Sequence, residues 1–349
     1  MNMKHKLSSI LGVTAVLIAT LLLLGFVQRL LMPKHRSATK EGHLPQEYYA
    51  ETTEHDVLFL GDCEVFSNFS PITLWTEYGI PSYIRGGAQQ LVWHSYYTLL
   101  DTLKTETPKV VVYNVLALKY GEPQSEAYNR LNLDGLRLSG IKLRAVHASM
   151  TEGEELLSYV FPLLRYHARW SELGAEDWTA LFSDPPVSHN GYLMETSVRP
   201  LDRTPTPPML HDPDLPASSM EWLKRMTELC RENGIRLVLI KSPSVEPHWY
   251  AQWDAQIVAF AEENGLDYYN LLHYNEEIGI DYSTDTFDMG QHLNVYGAEK
   301  ASRWLGAKLT EYGDLADRRG DRGLKDVWDE KVLRYEQEKK FLENGGDHE

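Results

Sequence analysis

From Leu7 to Gln28 the chain carries no charge and is rich in Leu, Ile, Val and Ala, with Lys4, His5 and Lys6 just ahead of it. That length matches the roughly 20 apolar residues a helix needs to cross a bilayer. A cleaved signal peptide would carry a shorter apolar core and a small-x-small cleavage site. Instead Leu21–Leu24 run on into Phe26, Val27 and Leu30. Residues 1–31 therefore read as a cytoplasmic N-terminus and an uncleaved anchor, a single pass through the cell membrane. The basic flank places the remainder on the extracytoplasmic side. Residues 32–54 are polar and aperiodic and predict a linker.

A different pattern begins at residue 55. The β-forming run Val57, Leu58, Phe59, Leu60 stops at Gly61-Asp62, and the stretch from Glu64 to Trp75 is helix-like. Residues 82–87 (SYIRGG) predict a short second strand. From Gln89 to Glu106, Leu91, His94 or Ser95, Leu99 and Leu103 share one helical face, and Pro108 closes the segment. Lys109 to Val115 is β-branched and of the length expected for a strand buried on both faces. The alternation then lapses. Residues 119–217 hold helical patches such as Glu154 to Leu164, followed by stretches rich in Pro, Asp and Ser, and predict an insertion that caps a site. It resumes with a helix from Ser218 to Glu232 stopped by Asn233-Gly234 and a strand at Arg236–Lys241. A helix to Asn264, a strand at Tyr268–Leu272 and a helix over Ala298–Tyr312 complete it. Repeated strand-then-helix units predict an α/β domain over 55–314 with a parallel, doubly wound sheet. Residues 315–349 form a charged, helix-prone tail.

Composition narrows the partners. A net charge of −16 over 349 residues argues against binding a phosphate backbone, so nucleic acid is not expected. No spacing of metal ligands stands out, and no cofactor is expected. Of the two cysteines, Cys230 lies in a helical pattern and reads as a small buried side chain. A Cys63–Cys230 disulfide is the competing reading to two free thiols in an oxidising compartment.

The chemistry-bearing residues fall at the predicted strand ends. In an open α/β sheet, ligands bind outside the carboxyl ends of the strands. Cys63 follows the first strand on a tight Gly-containing turn, which would expose a nucleophilic atom and hold it rigidly. Late in the chain, Asp288 and His292 bracket a Gly-containing loop before the last core helix. Such a His can serve as a base while the carboxylate fixes its tautomer, with Asp285 a rival to Asp288 for that role. The Cys63 N–H, the Gly87 N–H and an amide such as Asn114 are candidate oxyanion donors. Asp62, Arg85, Gln89 and Lys241 complete the candidate set near the strand ends; Arg85 and Lys241 could hold an anionic group or serve as ordinary ion-pair partners. Asp62 and Glu64 flank Cys63, and negative charge beside a thiol opposes its ionisation.

Gly61-Asp62-Cys63, the turn at Gly86-Gly87 and the block Asp288 to Lys300 (DMGQHLNVYGAEK) resemble the SGNH/GDSL hydrolase superfamily. Within it, the membrane-anchored extracytoplasmic branch is similar, including the D-alanine transfer protein and polysaccharide O-acetylation proteins. The resemblance covers roughly residues 55–120 and 218–312. It implies a flavodoxin-like three-layer α/β/α fold and acyl transfer or ester hydrolysis, with Cys63 as nucleophile, His292 as base and Asp288 as orienting acid. It further implies a cell-envelope polysaccharide or teichoic-acid-like substrate. Three departures stand out: cysteine replaces the usual serine, the acid precedes His by four positions rather than three, and the Gly-x-Asn-Asp block is absent. The second-block glycine is Gly86 or Gly87. These departures leave a second reading, a non-catalytic binding module serving a membrane O-acyltransferase partner.

Overall fold

The computed structural model describes residues 3–32, 43–182 and 186–346, so residues 33–42 of the expected linker lie outside the described residues. The chain divides into two compact units, Met1–Arg36 with Glu155–Pro185, and Ser37–Glu154 with Pro186–Glu349.

The first unit is built on α1 (Met3–Leu31), whose stretch Ser9–Leu31 is long and apolar enough to cross a membrane. Large apolar side chains along it, from Ile10 to Phe26, are exposed, whereas Leu30 and Leu31 are buried. The short helices Leu163–Tyr166 and Ala175–Thr179 pack against α1, as does the 3-10 turn His167–Ser171 between them.

The second unit holds five parallel strands: β1 (Val57–Leu60), β2 (Ser82–Ile84), β3 (Val110–Asn114), β4 (Arg236–Lys241) and β5 (Asp267–Asn270). Their order, β2-β1-β3-β4-β5, is the flavodoxin-like doubly wound order. Register places Phe59 beside Ile84 and Val112, and Val112 beside Val238. Side chains alternate across a strand, and both faces are covered. Val57, Phe59, Val110, Val112, Val238 and Ile240 meet one layer, built from α2 (Cys63–Asn68) and α3 (Pro71–Tyr78) and, later in the chain, two further helices. Leu58, Leu60, Val111, Tyr113, Leu237 and Leu239 meet the other, built from α4 (Val92–Thr102), α5 (Ala217–Glu232) and α6 (Ala251–Asn264). The remaining helices of the first layer are α7 (Val295–Thr310) and α8 (Arg322–Glu343). Each fully buried Leu or Val contributes about 1.5–3 kcal/mol by leaving water, which accounts for the continuous apolar runs in these strands.

Two segments differ from the expectation, and a third adds packing to an expected helix. Residues 43–54 are part of the α/β unit rather than a free linker: Tyr48 is buried, its hydroxyl donates to Glu106 Oε1 (2.6 Å), and the Arg85 guanidinium lies over its ring at 3.9 Å. The insertion is shared between the units, its residues 155–185 grouping with α1. The charged tail is a packed helix. Leu324, Trp328, Tyr335 and Leu342 fall on one stripe of α8 and are buried, and Trp328 stacks on Trp75 at 5.1 Å. Cys63 and Cys230 are both free thiols.

Candidate active site

β1 ends in a turn that only glycine fits. Gly61 has φ +145°, and a Cβ there would sit 2.9 Å from the Cβ of Asn114 on the neighbouring strand. Asp62 then caps α2, its carboxylate accepting from Glu64 N–H at 3.2 Å, so Cys63 becomes the first residue of that helix. The loop after β2 approaches closely too: a Cβ on Gly86 would lie 2.3 Å from Val65 Cγ2.

Beneath Cys63 runs a buried polar network. Lys241 and Glu64, both essentially inaccessible, pair at 2.9 Å. The Asn114 amide donates to Asp62 Oδ1 (3.0 Å) and Glu64 Oε2 (2.8 Å), and its carbonyl accepts from Ser242 N–H (3.0 Å). The Lys241 ammonium also donates to the carbonyls of Ser242 (2.7 Å) and Ser244 (3.3 Å). Asn68, at the end of α2, donates to the Ser242 and Ser244 hydroxyls (2.7 and 2.8 Å) and accepts from Leu293 N–H at 2.7 Å. The last bond ties the helix opened by Cys63 to the residue after His292. Segments more than two hundred positions apart thus meet at the carboxyl end of the sheet.

On that loop His292 Nδ1 donates to Asp288 Oδ2 at 2.6 Å, a carboxylate having no proton to give, and His292 N–H donates to Asp288 Oδ1 at 2.7 Å. Thr286 Oγ1 donates to the His292 carbonyl (2.8 Å), and the Phe287 ring stacks on the imidazole at 5.7 Å. Burial alone would lower the His292 pKa. The bond and charge of Asp288, with Glu64 and Asp62 behind, instead hold it above its ordinary value. Asp285 is engaged elsewhere, accepting from Lys300 Nζ (2.7 Å) and Asp281 N–H (2.8 Å).

The thiol is held back. Burial first, then the charges of Asp62 and Glu64, push the Cys63 pKa well up, while its own N–H and Lys119 pull the other way. Asp62 itself is pushed up to about 6, by burial and then by Glu64. Among the described residues, no hydrogen bond joins the Cys63 sulfur to His292. Alkylation of Cys63 in folded protein is therefore expected to be slow at neutral pH and to rise with alkali. Asp62→Asn, which keeps an acceptor for both of its bonds but removes the charge, is expected to raise the neutral rate severalfold. Stopped-time labelling followed by peptide mapping reads both. An unchanged rate would mean that Asp62 does not govern the thiol.

Several expected donors have other work. Both Asn114 amide hydrogens are committed to carboxylates, so it is not placed as an oxyanion donor. The Gly87 N–H donates to the Gly61 carbonyl at 3.2 Å. Of the three expected donors, only the Cys63 N–H makes no hydrogen bond to another described residue. Arg85 is buried and committed to its own neighbours: it donates to Asp101 Oδ2 (3.2 Å), Thr102 Oγ1 (2.7 Å) and the Thr98 carbonyl (3.2 Å). Lys241 is the ion-pair partner of Glu64, with no accessible charge to offer an anion. Gln89 stands apart, with φ +46° and a buried Oε1 that has no partner among the described residues. No group of His, Cys, Asp and Glu among the described residues is arranged to hold a metal.

No family model matches the chain, and no curated protein matches it either. Among solved structures it is similar to a GDSL-like lipase from Bacteroides thetaiotaomicron. The match has 12% identity and covers 79% of this chain and 100% of that one, at a TM-score of 0.38. At that level of similarity, the fold stands on the strand order and register given above.

Sequence reasoning missed Lys119, Asn68, Ser242 and Ser244. Lys119 lies in the turn that follows β3, and half-buried there it is the one cation among the main influences on the Cys63 thiol. Burial pulls its own ammonium pKa down, against the charges of Asp62 and Glu64. A usable signal for the rest was Lys241 at a strand end, directly followed by Ser-Pro-Ser.

Proposed function

We propose that this protein is an SGNH-type acyl-ester hydrolase or acyltransferase, anchored in the cell membrane and acting outside the cytoplasm on a cell-envelope glycopolymer. The observation that supports the reading is the Asp288–His292 hydrogen bond, on a loop that the Asn68–Leu293 bond joins to the far end of α2, the helix that Cys63 opens. In the proposed reaction, His292 Nε2 accepts the thiol proton as Cys63 Sγ attacks the acyl carbonyl. The Cys63 N–H meets the oxyanion, and collapse expels the alcohol with the proton returned by His292. Water, or an acceptor hydroxyl, then repeats the sequence to free the thiol. Asp288 orients the imidazole and favours its protonated form.

The reading is tested by turnover of a soluble acetyl ester by the full chain in detergent. Cys63→Ala is expected to abolish turnover above background, and equal rates in both would remove the mechanism. Two features favour a second reading, a binding module that serves a membrane acyltransferase partner without turning over substrate: the thiol carries a raised pKa, and no hydrogen bond among the described residues joins it to His292. That reading expects saturable ester binding with no turnover, and no thiol alkylation at neutral pH.

A further inference from the structure

The part of the insertion that groups with α1 has a surface unlike that of the α/β unit. Leu157, Phe161, Leu164, Trp170, Trp178 and Phe182 are all exposed, Trp170 at 72% and Phe182 at 90%. The chain has nine tryptophans, and Trp170 and Trp178 are the two left exposed. Exposed large apolar residues of the α/β unit, such as Leu138, Met209 and Leu333, are instead scattered singly along the sequence. A water-facing surface this rich in Leu, Phe and Trp is costly, because each apolar group stays hydrated.

The same segment is fastened to the end of the apolar helix. Arg169 Nη1 donates to the Leu31 carbonyl at 2.8 Å, satisfying one of the carbonyls that a helix C-terminus leaves unpaired. Arg169 is held for this by Asp177 (3.0 Å), whose other oxygen accepts from Gly174 N–H (3.0 Å). Residues 155–182 carry Arg165 and Arg169 against Glu155, Glu172, Glu176 and Asp177, so the charge does not favour an anionic surface. What the segment offers is apolar area and two tryptophans beside the end of a membrane-length helix, the combination found where protein meets the headgroup layer.

We infer that residues 155–182 form a collar around the outer end of α1, seated in the headgroup region of the lipid bilayer with its aromatic and leucine side chains turned into the acyl boundary. The occupant of this surface is lipid, held by apolar insertion about 5–10 Å deep rather than by charge. The inference rests on the reading of α1 as a membrane-spanning anchor.

The full chain is reconstituted in phosphatidylcholine vesicles containing lipids brominated either high or low on the acyl chain, and tryptophan fluorescence is recorded. Shallow bromines are expected to quench a component of the emission that disappears in the Trp170→Phe/Trp178→Phe variant, since the other seven tryptophans are buried or half-buried. Replacing part of the lipid with an anionic phospholipid, or adding salt, is expected to leave that component unchanged; a requirement for anionic lipid would overturn apolar insertion. A Leu17→Trp reporter placed in the double variant tests the anchor separately, by quenching from deep bromines. If that reporter is quenched while Trp170 and Trp178 are not, the collar is refuted and the anchor stands. If neither is quenched, the anchor reading fails and the collar with it.

Discussion

Glu64→Gln is expected to be among the most damaging single substitutions in the α/β unit. It leaves the Lys241 ammonium buried opposite a neutral amide, with the Ser242 and Ser244 carbonyls as its remaining partners. Breaking one side of a buried ion pair costs roughly 3–5 kcal/mol, because the surviving charge cannot reach water. Lys241→Met should cost a similar amount by stranding the carboxylate. The double variant Glu64→Gln/Lys241→Met should recover much of the loss, since two neutral groups of similar size no longer need each other. Glu221→Gln, which breaks the exposed pair with Arg225, is the internal control and should shift stability by less than about 1 kcal/mol. Denaturant unfolding of the four variants checks the pattern. Additive losses in the double variant would mean that the pair is not the unit of stability.

The second large effect concerns His292. Replacing it with Ala is expected to lower ester turnover by about 10²–10⁴-fold, the range for loss of a positioned base. Asp288→Asn should lower kcat strongly as well, but its more telling signature is in pH. The neutral imidazole is the form that can accept the thiol proton, and Asp288 holds the His292 pKa above its ordinary value. Wild-type turnover should therefore rise with pH on the alkaline side of the ordinary histidine range, and Asp288→Asn should move that rise to lower pH. Linkage runs the other way for stability. The protonated His292–Asp288 pair stabilises the fold fully below the ordinary histidine pKa, and the contribution is lost as pH climbs through the raised one. A pH profile that does not move in Asp288→Asn would separate the carboxylate from the imidazole's chemistry.

What the sequence allowed one to read depended on whether the information was local. The strands were legible because a run such as Lys109 to Val115 must be buried on both faces, and few other structures accept it. The turn at Gly61-Asp62-Cys63 was legible because a strand that stops at glycine leaves few conformations. Asp288 and His292, four positions apart, were legible as a pair because one loop carries both. The choice between Asp288 and Asp285 was not, since it depends on Lys300 and the Asp281 N–H claiming Asp285. The role of Asn114 was hidden for the same reason: its partners Asp62 and Glu64 lie about fifty positions away, and Ser242 lies 128 away. Residues 43–54 read as linker because their polarity is real, while their contribution to the fold comes from Tyr48 and Tyr49 meeting Arg85 and Asp101. The tail concealed its packing in the same way, with four apolar residues on one stripe of a strongly charged helix.

In the proposed reaction the acyl group passes through Cys63. The direct measurement is to mix the full chain with an activated acetyl ester, quench in acid within the first turnovers, and map the acetyl group by peptide mass spectrometry. A thioester is expected on the peptide containing Cys63, absent from Cys63→Ala and formed far more slowly in His292→Ala. An unmodified Cys63 peptide during turnover that continues unchanged in Cys63→Ala would contradict it.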